Sequence, residues 1–192
     1  MSTSPVPSFE DALKSAEARL TKSLGQSCRL LIKRNLDEES IRDIQRIESE
    51  AFRHELRYDV EELVSRSREK GFLLFLLLCG DQPIAFLHGY SDPSEGSAFF
   101  LDTVATVLEG RGVGSILVAL TLLYSFEAGY RAITLRTEEQ DEKGRRLVRF
   151  YENLGFEVFP CDPAEGVAMR RRLDSQGIRT IFERVLEYRD KN

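Results

Sequence analysis

Three glycines at alternate positions, Gly110, Gly112 and Gly114, stand in the stretch Thr106-Val-Leu-Glu-Gly-Arg-Gly-Val-Gly-Ser115, between a strand-like run and a long apolar helix. Glycine admits positive φ and close backbone approach, and the free N–H groups of a helix start favour an anion, so a phosphate is the natural ligand. The plainer alternative is a tight turn ahead of a helix. The loop is not a P-loop, since no Gly-Lys-Ser/Thr follows, and its position does not suit the dinucleotide fingerprint. Further on, Arg149-Phe-Tyr-Glu-Asn-Leu-Gly-Phe156 stops a helix at Gly155 and sets a phenol, Tyr151, one turn before the stop. Asp102 interrupts Phe99-Phe-Leu-Asp-Thr-Val104, where a carboxylate is costly unless exposed or partnered. Glu50, His54 and Glu55 cluster between two helices, where a solvated helix end is the plain reading. His88 alternates within Phe86–Tyr90 as a half-buried strand histidine. With two histidines and no paired spacing, a metal site has no support.

These groups need elements to hold them. Ser8-Phe-Glu-Asp11 reads as an N-cap, and Phe9, Leu13, Ala16, Leu20 and Leu24 form one helical stripe that ends at Gly25. Cys28–Leu36 is a short strand. Glu39–Phe52 is a helix with Ile41, Ile44, Ile47 and Phe52 near one face, and about Val60–Lys70 a second. Phe72–Cys79, Ile84–Tyr90 and Ala98–Val107, divided by turn sequences, read as an antiparallel meander. Val113–Ala128 is a long helix, apolar almost all round. Ala132–Thr137, a helix over Arg145–Leu154, Phe156–Phe159 and Val167–Leu173 then imply parallel crossover pairing. Gly177–Arg189 carries a last apolar stripe, Ile178, Ile181, Phe182, Val185 and Leu186. The expected organisation is an N-terminal helical extension (1–27), a body (28–173) and a C-terminal amphipathic helix (174–192). The end helices would pack on the body or on a second subunit, making a homodimer.

Composition narrows the function classes. The chain has 192 residues, 27 Lys+Arg against 32 Asp+Glu and a net charge of −5, with 42% hydrophobic residues. At ~150 residues per domain this is one domain with extensions. A net-negative chain does not coat nucleic acid or anionic lipid by bulk charge, although a local basic patch can hold one phosphate ligand. Cys28, Cys79 and Cys161 are three in number with no short spacing, which argues against a disulfide scaffold and fits a reducing, cytoplasmic compartment. Met1–Pro7 has neither the basic start nor the apolar stretch of a signal peptide. The most apolar run, Phe72–Cys79, falls far short of the ~20 residues of a membrane span.

The combination of strand, Gly-x-Gly-x-Gly loop, long helix, strand, and helix with Phe-Tyr-x-x-x-Gly-Phe resembles the GNAT superfamily of acyl-CoA N-acyltransferases, over about residues 28–173. The resemblance implies an α/β (α+β) fold, with a central mixed sheet of about seven strands and four core helices, beside the extra helix at each end. The family's phosphate loop, Arg/Gln-x-x-Gly-x-Gly/Ala, falls on Glu109–Gly114. By that resemblance Gly110, Arg111, Gly112, Val113, Gly114 and Ser115 hold the pyrophosphate of acetyl-CoA, and Val104, Ala105 and Thr106 pair with its pantetheine arm. Tyr151 protonates the departing thiolate. The reaction implied is direct transfer of an acetyl group to a primary amine of a small molecule or a protein. Asp102 is then the best general-base candidate, and Glu50, His54 and Glu55 line the acceptor site.

Two positions depart from the family pattern. Glu109 replaces the usual Arg/Gln and would face away from the phosphates, with Arg111 supplying local charge. Gly144 stands seven residues before Tyr151, where Asn is frequent. They keep open a non-catalytic acyl-CoA-binding module, beside a longer acyl donor. An acyl-cysteine intermediate is not expected, since the cysteines lie away from both motifs. The acidic run Glu138–Glu142 reads as a solvated loop or an attractor of cationic amines. Arg145, Arg146 and Arg149 reach the nucleotide phosphates or cover their helix, and Arg170–Arg172 alternate outward and edge-facing.

Overall fold

The computed structural model describes residues 5–141, 143–160 and 166–187; Cys161 and Glu142 lie outside them. The chain runs α1 (Phe9–Leu24), β1 (Cys28–Lys33), α2 (Glu38–Ala51), a single 3-10 turn (His54–Leu56), α3 (Val60–Ser67), β2 (Leu73–Cys79), β3 (Gln82–Ser91) and β4 (Ala98–Thr106). It continues with α4 (Val113–Glu127), β5 (Ala132–Thr137), α5 (Leu147–Glu152), β6 (Glu157–Val158), β7 (Val167–Arg172) and α6 (Ser175–Ile181), which runs on into a π-helical turn at Phe182–Leu186. Local chemistry explains the ends. Asp11 N–H bonds the Ser8 hydroxyl at the start of α1, and Gly25 closes it in the left-handed conformation. Asp37 caps α2, and Asp59 and Glu62 form a capping box on α3.

One seven-stranded mixed sheet, in the order β1-β2-β3-β4-β5-β7-β6, divides the molecule. β2 to β4 form the antiparallel meander that the turn sequences predict, and β1 pairs antiparallel beside β2. β4 and β5 are parallel across α4. The second crossover differs from the expectation. β5 and β6 run the same way but do not touch, because β7 inserts between them antiparallel to both. The expected helix over Arg145–Leu154 is confined to α5, since loop contacts of Asp141 and Glu139 use the preceding backbone.

Alternate residues of β2 face opposite sides. Leu73, Phe75, Leu77 and Cys79 join the core beneath α1, α4 and α6, while Phe72, Leu74 and Leu76 join a second core beneath α2 and α3. A strand covered on both faces reads as an unbroken apolar run, which is why Phe72–Cys79 shows no alternation. α4 is buried nearly all round. The apolar stripes of α1 and α6 are used within the chain: both lie in the core built around α4, and Ser15 Oγ bonds the Leu186 carbonyl.

The cysteines require a correction. Cys28 and Cys79 are joined by a disulfide, with Cα atoms 4.2 Å apart. They sit directly opposite each other in the β1–β2 register, a partner that sequence spacing cannot reveal. The expectation of free cysteines fails, and with it the cysteine-based argument for a reducing compartment. Among the described residues no helix is long and apolar enough to cross a membrane. Arg171 also departs from the outward-facing expectation. It is buried, and its guanidinium bonds the carbonyls of Leu154 and Gly177, tying α5 and α6 to β7.

Candidate active site

β4 is the element on which the site depends. Its parallel register with β5 runs only from Ala98↔Ala132 to Leu101↔Leu135, whereas its antiparallel register with β3 continues to Ala85↔Thr106. β5 remains paired with β7 out to Thr137↔Val167. Residues 102–106 therefore turn a backbone edge into a fork between two strands held firmly on their outer sides. The fork coincides with a bulge. Gly89 opposes Leu101 and His88 opposes Thr103, so Asp102 is the extra residue. Bulges kink a strand and re-aim its side chains. Gly89 permits it: a Cβ there would lie 2.3 Å from the Phe100 carbonyl oxygen.

Asp102 projects onto the α2/α3 face, where its side chain is 6% exposed. Arg66 Nη1, from the last turn of α3, lies 3.0 Å from its Oδ2. Tyr58 donates its hydroxyl to Oδ1 at 3.2 Å, and His88 Nδ1 is 3.6 Å from Oδ2. Arg66 Nη1 also donates to Tyr90 Oη at 2.8 Å, and its guanidinium lies 4.5 Å from the Tyr58 ring centroid. Burial raises the Asp102 pKa, and Arg66 is the foremost influence pulling it back. Burial also pushes the Tyr58 and Tyr90 phenols up to about 12. His88 is 1% exposed rather than half-buried, and burial followed by the Arg66 charge lowers its pKa to about 3, so the imidazole is neutral.

Glu48 belongs to the same neighbourhood. It is 1% exposed on α2, its Oε2 accepts the Tyr58 N–H at 3.1 Å, and its Oε1 has no partner. Burial raises its pKa to about 7. Arg57 bonds the carbonyls of Phe52 and Ser49, clamping the segment before α3 against α2. Glu50, His54 and Glu55, the residues expected to line an acceptor site, are all exposed on the outside of this segment. The inward groups are Glu48 and Tyr58. Glu48 stands four residues after Ile44, on the apolar stripe of α2, and that misplaced charge was its sequence signal. Arg66, Tyr58 and Tyr90 carried none.

The glycine loop leads into α4. Gly110 and Gly112 have φ of +70° and +75°, which glycine adopts without strain. Gly112 is the N-cap, no side chain caps the helix and its first turn has no acidic residue, so its leading N–H groups suit an anion. Glu109 is neutralised by Lys143 Nζ and by Arg145 Nη1 at 3.3 Å; the two unusual positions, Glu109 and Gly144, thus meet in one ion-paired loop. In the acidic run, Asp141 binds the backbone and guanidinium of Arg145, and Glu138 pairs with Arg53 at 2.7 Å.

Tyr151 lies on the other face of the sheet from Asp102, in the core around α4, 7% exposed and edge-on to Phe150 and Phe156. Burial alone raises its pKa, so the phenol keeps its proton.

The fold is similar to that of several solved structures. The ribosomal-protein-S18-alanine N-acetyltransferase from Escherichia coli matches with a TM-score of 0.59 and 17% identity, over 76% of this chain and 94% of that one. An aminoglycoside 6'-acetyltransferase type Ii gives 0.61 and 17%, over 75% and 97%. The PaiA N-acetyltransferase from Thermoplasma acidophilum, solved with coenzyme A, gives 0.56 and 16%, over 75% and 99%. Among curated proteins none matches. The acetyltransferase (GNAT) family model matches residues 38–156, from α2 through Phe156. With more than half of its length so matched, the chain belongs to the GNAT family of acetyltransferases, enzymes that draw their acyl group from acyl-CoA.

Proposed function

We propose that this enzyme transfers an acetyl group from acetyl-CoA directly to a primary amine. The observation that carries the reading is the fork at Asp102–Thr106, which opens beside an uncapped helix start at Gly112. Backbone N–H groups from Gly110 to Ser115 hold the pyrophosphate without net positive charge on the chain. Val104, Ala105 and Thr106 pair with the pantetheine amides as a strand would, leading the thioester toward Asp102.

The two faces then divide the proton work. On the α2/α3 face Asp102 accepts a proton from the ammonium of the acceptor, and the neutral amine attacks the thioester carbonyl. On the α4 face Tyr151 donates its proton to the departing thiolate; as the adduct collapses to the amide the nitrogen gives up its second proton to water, and a proton from water restores the phenol. Acid and base on opposite sides of the fork let the amine enter and the thiol leave by different sides. The raised pKa of each group serves its role: Asp102 is a stronger base than an exposed carboxylate, and Tyr151 is never an anion at neutral pH. The fold neighbours act on a ribosomal-protein alanine and on aminoglycosides, and the acceptor here is proposed only as far as a primary amine.

A thiol-release assay with acetyl-CoA over a panel of amines tests the reading. Tyr151→Phe lowers kcat about 100-fold or more while leaving the CoA dissociation constant nearly unchanged. Wild-type turnover in that variant would refute the acid role. Thermal stabilisation by CoA without thiol release from any amine would favour the binding module.

A further inference from the structure

We propose that Arg66 is the positioning residue of this site, holding Asp102 as an aimed carboxylate, and that Tyr90 and Tyr58 hold Arg66 in turn. The proposal rests on the reading of Asp102 as the general base.

The geometry is specific. Arg66 reaches in from the last turn of α3, and one nitrogen, Nη1, meets both Asp102 Oδ2 at 3.0 Å and Tyr90 Oη at 2.8 Å. Its guanidinium plane rests on the Tyr58 ring, whose own hydroxyl donates to the other oxygen of Asp102. Tyr58 thus holds one carboxylate oxygen by a hydrogen bond, while Arg66 sets its charge beside the other, Oδ2, which accepts no hydrogen bond, and the two holding groups lie against each other. Every other titratable neighbour fails as a substitute for Arg66. His88 on β3 is neutral and 3.6 Å away. Tyr90 and Tyr58 are neutral phenols. Glu48 on α2 adds negative charge, which opposes ionisation of Asp102. Among the described residues facing Asp102, Arg66 is therefore the cation whose charge favours the ionised form of that buried carboxylate. Because guanidinium does not titrate, the grip holds throughout the working pH range.

The test compares Arg66→Met, Arg66→Lys and Tyr90→Phe by the pH profile of kcat/KM for a primary amine, and by carboxyl 13C NMR titration of Asp102 assigned against Asp102→Asn. In Arg66→Met the acid limb and the NMR titration both move up by about one pH unit or more, the size of a lost neighbouring opposite charge. Arg66→Lys restores most of the shift, and Tyr90→Phe gives a smaller one in the same direction. If Arg66→Met does not fold, those two milder variants carry the test. A loss of kcat/KM by one factor at every pH, with Asp102 titrating as in wild type, would overturn the proposal and leave Arg66 a packing residue. Wild-type activity in Asp102→Asn would instead sink the base reading, a distinct failure, because the NMR titration still reports what Arg66 does to Asp102.

Discussion

The two faces of the sheet are built to opposite rules. Beneath α1, α4 and α6 the packing is almost wholly apolar, and its buried polar side chains are few: Thr121, Ser125 and Arg171. Beneath α2 and α3 a smaller core closes around Glu48, His88 and Asp102, with Arg66 at its margin. There, Glu48 Oε1, both ring nitrogens of His88, Nε of Arg66 and Oδ2 of Asp102 have no hydrogen-bond partner, against Ser125 Oγ on α4 and Arg179 Nε on α6 among the described residues of the other face. Unsatisfied buried polar groups cost stability. A fold can hold them on one face only if the other supplies a surplus. The contrast therefore separates the face that supplies most of the stability, and carries Tyr151 and the start of α4 with it, from the face that holds buried charges around the proposed base.

The sharpest way to break that contrast is to weaken the apolar side. The Cys28–Cys79 bond joins β1 to β2 on that face across 51 residues, and a loop of that length implies a loss of about 4 kcal/mol in Cys28→Ala/Cys79→Ala. Urea unfolding with and without reductant checks this: equal midpoints would show that the bond contributes nothing. Next in size, Leu120→Ala removes a side chain of α4 with no exposed surface and loses about 3 to 4 kcal/mol. Full CoA affinity in the folded fraction of that variant would show that the middle of α4 sets stability without shaping the glycine loop at its start.

The polar side is tested by pH. Glu48 has its pKa raised from 4.5 to about 7 in the folded protein, so the native state holds its proton more tightly than the unfolded chain does. Its contribution to stability is therefore complete below pH 4.5 and is lost as pH rises from 4.5 to 7. The loss amounts to about 2 to 3 kcal/mol. Glu48→Gln keeps an acceptor for the Tyr58 N–H and removes the titration, so the variant should gain on wild type by that amount between pH 5 and pH 8. Parallel stability curves would mean that Glu48 is solvated. His88 adds an acid-side counterpart. With its pKa lowered to about 3, it favours the folded state above pH 6.5 and withdraws that support as pH falls toward 3.

The same contrast explains what could be read from sequence. Ser8, the stripe from Phe9 to Leu24 and Gly25 mark α1 because helix caps and periodicity are local. The glycine loop is legible for the same reason, and Phe72–Cys79 is legible because apolar cover on both faces leaves a continuous run. Asp102 is legible as a carboxylate interrupting a strand and His88 as a strand histidine, but their grouping is not, because its members come from α2, α3, β3 and β4, and only the tertiary fold brings Arg66 to Asp102. Glu48 leaves a further trace, as a charge on an apolar stripe. Cys28 and Cys79 became partners through a strand register, and β7 came between β5 and β6 by pairing antiparallel with both.

The smallest effect belongs to charges outside both faces. Glu109, Lys143 and Arg145 form an exposed cluster beside the glycine loop, where solvent and salt weaken every interaction. The ion pairs hold the two cations against Glu109, an acid that would otherwise repel a phosphate. Glu109→Gln releases Lys143 and Arg145 toward the ligand, so CoA binding tightens by about two- to fivefold at low salt. The gain fades as ionic strength rises, because the screening length falls to about 8 Å at 0.15 M. Calorimetric titration with CoA at two salt concentrations measures both the gain and its decay. Weaker binding in Glu109→Gln would instead mean that Glu109 orders the loop the phosphates need. Three carboxylates in one chain, Glu48, Asp102 and Glu109, would then differ in consequence mainly through their access to water.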